Sequence, residues 1–159
     1  MIFITLGSQK FQFNRLLIEI DELVEGGKIT EEVFAQIGYS DYKPKNYNYR
    51  EFIDRVEFLE IMDKCDKVIT HGGTGAIISA VKKGKKVIAI PRLSKFDEHV
   101  DDHQLQIVKQ FKNMNFINYV KNEYELGEII KNIDKESFQK YNSNTFKIIN
   151  SIDEFIEST

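Results

Sequence analysis

Residues 68–92 read Val-Ile-Thr-His-Gly-Gly-Thr-Gly-Ala-Ile-Ile-Ser-Ala-Val-Lys-Lys-Gly-Lys-Lys-Val-Ile-Ala-Ile-Pro-Arg. An apolar run ends in a glycine-rich turn, a short helical spacing follows, and a second apolar run closes at Pro91. Strand, turn, helix, strand is a βαβ unit. Ligands in open α/β sheets bind at the carboxyl ends of strands, where a helix N-terminus also offers free N–H groups to an anion. His71, Gly72, Gly73, Thr74 and Gly75 fall at that point. Three glycines in four positions remove Cβ atoms that would hold a diphosphate away from the backbone.

Working outward, the same alternation continues in both directions. Ile2 to Leu6 is a short apolar strand ending in a Gly7-Ser8 turn. Asn14 is expected to cap a helix with Leu16, Leu17, Ile20, Leu23 and Val24 on one face, stopped by Gly26-Gly27. Val33 to Ile37 is a strand closed by Gly38, the tyrosine-rich Tyr39 to Asn48 segment a loop, and Tyr49 to Ile53 a short strand. Asp54 and Glu57 have capping-box spacing and open a helix that turns Phe58, Leu59, Met62 and Cys65 inward.

Beyond the βαβ unit, Asp102 is placed to cap a helix carrying Leu105, Val108 and Phe111. Asn115 to Val120 reads as a sixth strand, and Asn122 starts a helix with Leu126, Ile129, Ile130 and Ile133. The tail places Phe138, Tyr141, Thr145, Ile148, Ile149, Ile152, Phe155 and Ile156 three and four apart, which predicts a helical extension over residues 137–159. Strands alternating with helices predict one Rossmann-like α/β domain over residues 1–159, its mostly parallel sheet covered on both faces.

Bulk properties narrow the classes. The 159 residues suit one domain with a real core. A net charge of -3 and a pI near 5.7 argue against nucleic acid as a partner. Cys65 stands alone, so a disulfide framework is not expected and a reducing, cytoplasmic compartment is. The Met-Ile-Phe-Ile-Thr-Leu-Gly start lacks a basic n-region, and no stretch reaches the roughly 18 apolar residues of a membrane span.

The glycine turn is not a dinucleotide fingerprint, because Ile78 stands where the third glycine belongs and the turn follows the fourth strand. That disfavours a nicotinamide-dependent oxidoreductase. A plain βα turn needing glycine for its dihedrals is the simpler alternative. The acidic cluster Asp97 to Gln104 holds His99 and His103 four residues apart. With Asp102 as the cap, His99 falls in the preceding loop and no metal site is expected; His103 and Gln104, in the first helical turn, are candidates for ligand contact. Cys65 belongs to the core, and Lys82, Lys83, Lys85 and Lys86 to a solvated turn.

Taken together, Ile2-Phe3-Ile4-Thr5-Leu6-Gly7-Ser8, Thr70-His71-Gly72-Gly73-Thr74-Gly75, Gly84-Lys85-Lys86, Pro91 and Asp102-His103-Gln104 resemble the C-terminal domain of glycosyltransferase family 28. The likeness runs from the first strand to Ile133 and implies the C-terminal half of a GT-B glycosyltransferase. Within the family the chain is similar to bacterial half-transferases of capsule and exopolysaccharide synthesis, and to the eukaryotic donor-binding subunit that adds the second N-acetylglucosamine to a dolichol-linked sugar.

The resemblance implies a UDP-sugar with its diphosphate over His71, Gly72, Gly73, Thr74 and Gly75, beside Gly7 and Ser8, and its sugar near Asp102, His103 and Gln104. Galactose is the favoured donor sugar; the alternatives are N-acetylglucosamine as donor, or a non-catalytic accessory protein that binds a nucleotide-sugar in the same pocket. It also implies a lipid-linked saccharide acceptor, a separate membrane-associated acceptor-binding subunit, catalysis without cofactor or metal, and a place at the inner face of the membrane. No catalytic residue or general base is assigned. Ser79 stands where the peptidoglycan-synthesising relative has a ribose-holding glutamate, and Leu105 where it has a second glutamine.

Overall fold

The structure, a computed structural model, describes residues 1–142, 147, 150–152, 154, 157 and 158. The elements run β1 (Ile2–Thr5), α1 (Asn14–Glu25), β2 (Val33–Gln36), β3 (Asn48–Arg50), α2 (Arg55–Lys64), β4 (Lys67–Thr70), α3 (Thr74–Lys82), β5 (Lys86–Ala89), α4 (His103–Asn113), β6 (Asn118–Tyr119) and α5 (Leu126–Asn132). Among the described residues six strands form one sheet in the order β3-β2-β1-β4-β5-β6. Every pairing is parallel, and Thr5 of β1 lies level with Gln36 of β2 and Thr70 of β4. The chain winds outward from β1 to β3, then crosses back to lay β4 on the other side of β1. A crevice opens at such a reversal, at the carboxyl ends of the two strands.

Apolar residues on both faces of each strand explain this two-sided cover. Side chains alternate along a strand, so Ile2 and Ile4 point to one face and Phe3 to the other. Ile2, Ile4, Ile69 and Ile88 pack with Leu16, Leu17 and Ile20 of α1 and Leu126 and Ile130 of α5. Phe3, Val68, Val87 and Ala89 pack with Met62 of α2, Ile77 and Ala80 of α3, and Val108 and Phe111 of α4. Cys65 is buried in this second layer, as expected. Each large side chain buried this way stabilises the fold by about 1.5–3 kcal/mol. No described helix is long and apolar enough to cross a membrane.

Several boundaries differ from expectation. Asn14 is the first residue of α1 and not its cap: its Oδ1 accepts the Asp41 and Tyr42 N–H groups at 3.0 Å each, fastening the tyrosine-rich loop. Asp21 holds the same loop, accepting from the Tyr42 hydroxyl and the backbone of Lys45 and Asn46. The third strand is Asn48–Arg50, upstream of the expected Tyr49 to Ile53. Asp54 does cap α2, accepting the Glu57 N–H at 2.9 Å, but Leu59 points outward. The last strand shrinks to Asn118–Tyr119, and Asn122 caps a 3-10 turn that leads into α5.

Residues 136–142 are irregular, which removes the start of the expected helical extension. The described residues 147, 150–152, 154 and 157 are helical, while Thr145, Ile148, Ile149, Phe155 and Ile156 lie outside the described residues.

Candidate functional site

Between β1 and β4, where the winding reverses, the sheet ends in a cleft of about 590 Å³. Gly7, Ser8, His71, Gly73, Gly75 and Ser79 line it from the sheet and α3, and Ile53, Asp54, Arg55 and Phe58 from the α2 side. Of the residues expected at the site, five therefore share this one space: Gly7, Ser8, His71, Gly73 and Gly75.

His71 is the hub. Its ring is 7% exposed, and Nδ1 sits 3.3 Å from Thr70 Oγ1 and 3.4 Å from the Thr5 carbonyl oxygen. The ring lies between two glycines. A Cβ on Gly7 would fall 2.8 Å from His71 Cε1, and one on Gly73 2.3 Å from Nε2. Gly7 also needs its left-handed φ of +72°, so it is glycine twice over. Burial, with a smaller contribution from the Arg92 charge, pushes the His71 pKa down from 6.5 to about 4. The imidazole is neutral at physiological pH.

Gly72 answers to a different neighbour. A Cβ there would meet Gln104 Cβ at 2.5 Å and the Gln104 carbonyl oxygen at 2.9 Å. The buried Gln104 side chain accepts from Gly72 N–H at 3.3 Å and from Arg92 N–H at 3.2 Å, bridging the β4–α3 and β5–α4 loops. The idea that all the glycines clear a path for a diphosphate is thus corrected. Gly72 and Gly73 make room for Gln104 and His71, and Gly75, with nothing within 4 Å of its missing Cβ, opens to the cleft.

Gly73 is the N-cap of α3, with no side-chain cap bond and no acidic residue in the first turn. The positive end of the helix faces the cleft, which Gly73 and Gly75 line, and Thr74 is its first, half-buried residue. An anion is the natural occupant of such a helix end. Ile53 and Phe58 give the cleft apolar lining on the α2 side, beside Asp54 and Arg55.

Asp102 and His103 stand at the start of α4, outside the residues that line the cleft. Asp102 does not make the expected cap bond. Its carboxylate accepts from the Ser94 N–H and hydroxyl at 2.8 and 2.9 Å, and these bonds hold its pKa below the usual carboxylate value. Asp101 accepts the His103 N–H instead, at 2.9 Å. His99 turns away from His103: its ring stacks 5.0 Å from Phe11, and Nε2 lies 3.2 Å from Gln9 Oε1. Among the described residues no three His, Cys, Asp or Glu side chains gather as metal ligands.

Two features escaped the sequence reading. Arg92, directly after Pro91, is fully buried beneath the β1–α1 loop, where Nη2 donates to the Leu6 and Phe11 carbonyls at 2.9 and 3.3 Å. A charged residue ending an apolar strand was the visible signal. Arg55 and Phe58 of α2 were missed because nothing in the spacing links that helix to the glycine turn. The lysine turn, by contrast, is structural: Lys83 pairs with Asp63, Lys85 donates to the Asp63 and Cys65 carbonyls, and Lys86 to those of Ile133 and Asp134.

A doubly wound parallel sheet with a cleft at its reversal point defines a Rossmann-like type of α/β domain. The chain belongs to the glycosyltransferase family 28 C-terminal domain, whose family model matches residues 1–158. It is similar to the UDP-N-acetylglucosamine transferase subunit ALG13 of Candida albicans, 27% identical over 137 residues that make up 86% of this chain and 43% of the relative. The corresponding Candida glabrata protein is 29% identical over 104 residues, 65% of this chain and 50% of that one. The matched region thus spans half or less of these curated relatives.

Among solved structures, the NMR structure of ALG13 superposes with a TM-score of 0.59 at 17% identity, covering 92% of each chain. The crystal structure of the kitacinnamycin glycotransferase gives 0.62 at 14% identity, covering 99% of this chain and 39% of that one. These likenesses bear on the fold, which is that of one half of a GT-B glycosyltransferase.

Proposed function

We propose that the chain is the donor-binding part of a glycosyltransferase that uses a UDP-sugar. One observation carries the reading: the N-terminus of α3 and the neutral His71, wedged between Gly7 and Gly73, face the same cleft at the reversal point. In this reading the diphosphate lies over Gly73, Thr74 and Gly75, with Gly7 and Ser8 on its flank and the uracil against Ile53 and Phe58. Helix N–H groups and the imidazole stabilise the charge that grows on the departing UDP, so transfer proceeds without a metal ion. Asp102 and His103 reach the sugar from the rim, and Gln104 supports them from behind.

N-acetylglucosamine is the donor sugar to test first. The names of both Candida relatives support it over the galactose and capsule reading that the sequence resemblance favoured. The word subunit in those names supports a second protein. That it carries the acceptor site, takes a lipid-linked saccharide and holds the chain at the cytoplasmic face of the membrane is what the family resemblance implies.

Calorimetry of UDP with the full chain, with and without EDTA, tests binding. Transfer assays with UDP-N-acetylglucosamine and UDP-galactose, with and without membranes holding the partner, test activity. Saturable UDP binding unaffected by EDTA, and transfer that requires the membrane fraction, are expected. A stoichiometric metal required for UDP binding, or no UDP binding at millimolar nucleotide, contradicts the reading.

A further inference from the structure

Arg55 is the only lysine or arginine among the described residues that line the cleft. It is exposed, and its guanidinium has no hydrogen-bond or ion-pair partner among the described residues. The two carboxylates nearest to it in sequence are engaged elsewhere. Asp54 Oδ1 accepts the Glu57 N–H at 2.9 Å as the cap of α2, and Glu57 Oε2 accepts from Arg50 Nη1 at 2.9 Å.

Its place in the helix is unfavourable too. Arg55 is the first residue of α2, where the helix presents its positive end and a carboxylate is the stabilising choice. Nor does it serve the packing of α2, whose one buried residue is Met62. A side chain that works against its own helix, at the edge of a cleft, is explained by what enters the cleft. The rest of the lining brings no other cation, since His71 is neutral at physiological pH. Of the parts of a UDP-sugar, the uracil, the ribose and an uncharged sugar need no counter-charge. The diphosphate does, and a guanidinium fork matches paired phosphate oxygens.

We propose that Arg55 binds the donor's diphosphate from the α2 side of the cleft, supplying the full positive charge that the α3 N-terminus and the imidazole lack. The proposal rests on the UDP-sugar reading and names the residue that recognises the charge of that donor. Negative charge grows on UDP as it departs, so Arg55 holds the leaving group more strongly than the intact donor.

The test compares the full chain as wild type, Arg55→Gln and Arg55→Glu, by calorimetry with UDP, amide NMR with millimolar uridine, and urea unfolding. Arg55→Gln should weaken UDP about tenfold, and Arg55→Glu should weaken it further. Uridine, which has no phosphate, should bind all three proteins alike. Both variants should unfold at the same urea concentration as wild type or a higher one, because each removes a cation from the start of α2. Unchanged UDP affinity in Arg55→Gln, uridine weakened in step with UDP, or a loss of stability that accompanies the loss of binding overturns the proposal. The two readings fail differently. Absence of UDP binding in wild type removes the donor reading and the Arg55 role together, whereas equal UDP binding by wild type and Arg55→Gln removes the Arg55 role alone.

Discussion

Gly72 and Gly75 stand three residues apart and answer to opposite constraints. Gly72→Ala drives a methyl into Gln104 and should destabilise the fold by about 1–3 kcal/mol in urea titrations, as overpacking does. Gly75→Ala puts a better helix former into open space and should stabilise the free chain by up to about 1 kcal/mol. Gly75 also lines the donor cleft, so the added methyl should lower UDP affinity by about tenfold, or 1.4 kcal/mol. A destabilised Gly75→Ala with unchanged UDP affinity contradicts the assignment.

His71 sets an acid limit. The unfolded chain takes up its proton below pH 6.5, while the folded chain resists to about 4. The stability it contributes is complete above pH 6.5 and is lost as the pH falls toward 4, by at most about 3 kcal/mol. Urea unfolding of wild type and His71→Asn should show a difference that closes over that window. At this scale the sequence was half legible. His71 and the glycines announced themselves as a cluster, but why each glycine is there depends on contacts with Gln104 and His71 that no spacing reveals. Arg92 has no period and no motif; its meaning comes from being buried under a distant loop.

Element ends show how local and tertiary demands compete. The Asp54 cap of α2 was readable because its acceptor and the Glu57 N–H are three residues apart, and Asp54→Ala should cost about 1 kcal/mol. The cap of α1 was misread, and Asp102 holds the expected N-cap position of α4 without bonding the helix, for the same physical reason: Asn14 and Asp102 spend their side chains on the Asp41–Tyr42 backbone and on Ser94. At α4 the acceptor is Asp101, so Asp101→Ala should raise amide exchange at His103 more than Asp102→Ala does. Equal protection in both variants contradicts that assignment. The edge strands β3 and β6 were the least legible, having three and two residues and few buried side chains to impose a period.

For the molecule as a whole, the apolar runs dictated a parallel sheet with two covered faces, and the order of strands then placed the cleft. What the sequence lacked was the pairing of β1 with β4, which brings Gly7 to His71 across more than sixty residues. That juxtaposition is the centre of the account, and amide NMR of the full chain titrated with UDP tests it most directly. Gly7, Ser8, Gly73, Gly75 and the start of α2 should shift together and saturate. Shifts confined to the recess at the opposite end of the sheet, formed by Lys82, Lys83, Lys85, Phe138 and Tyr141, or no shifts at millimolar UDP, would contradict it.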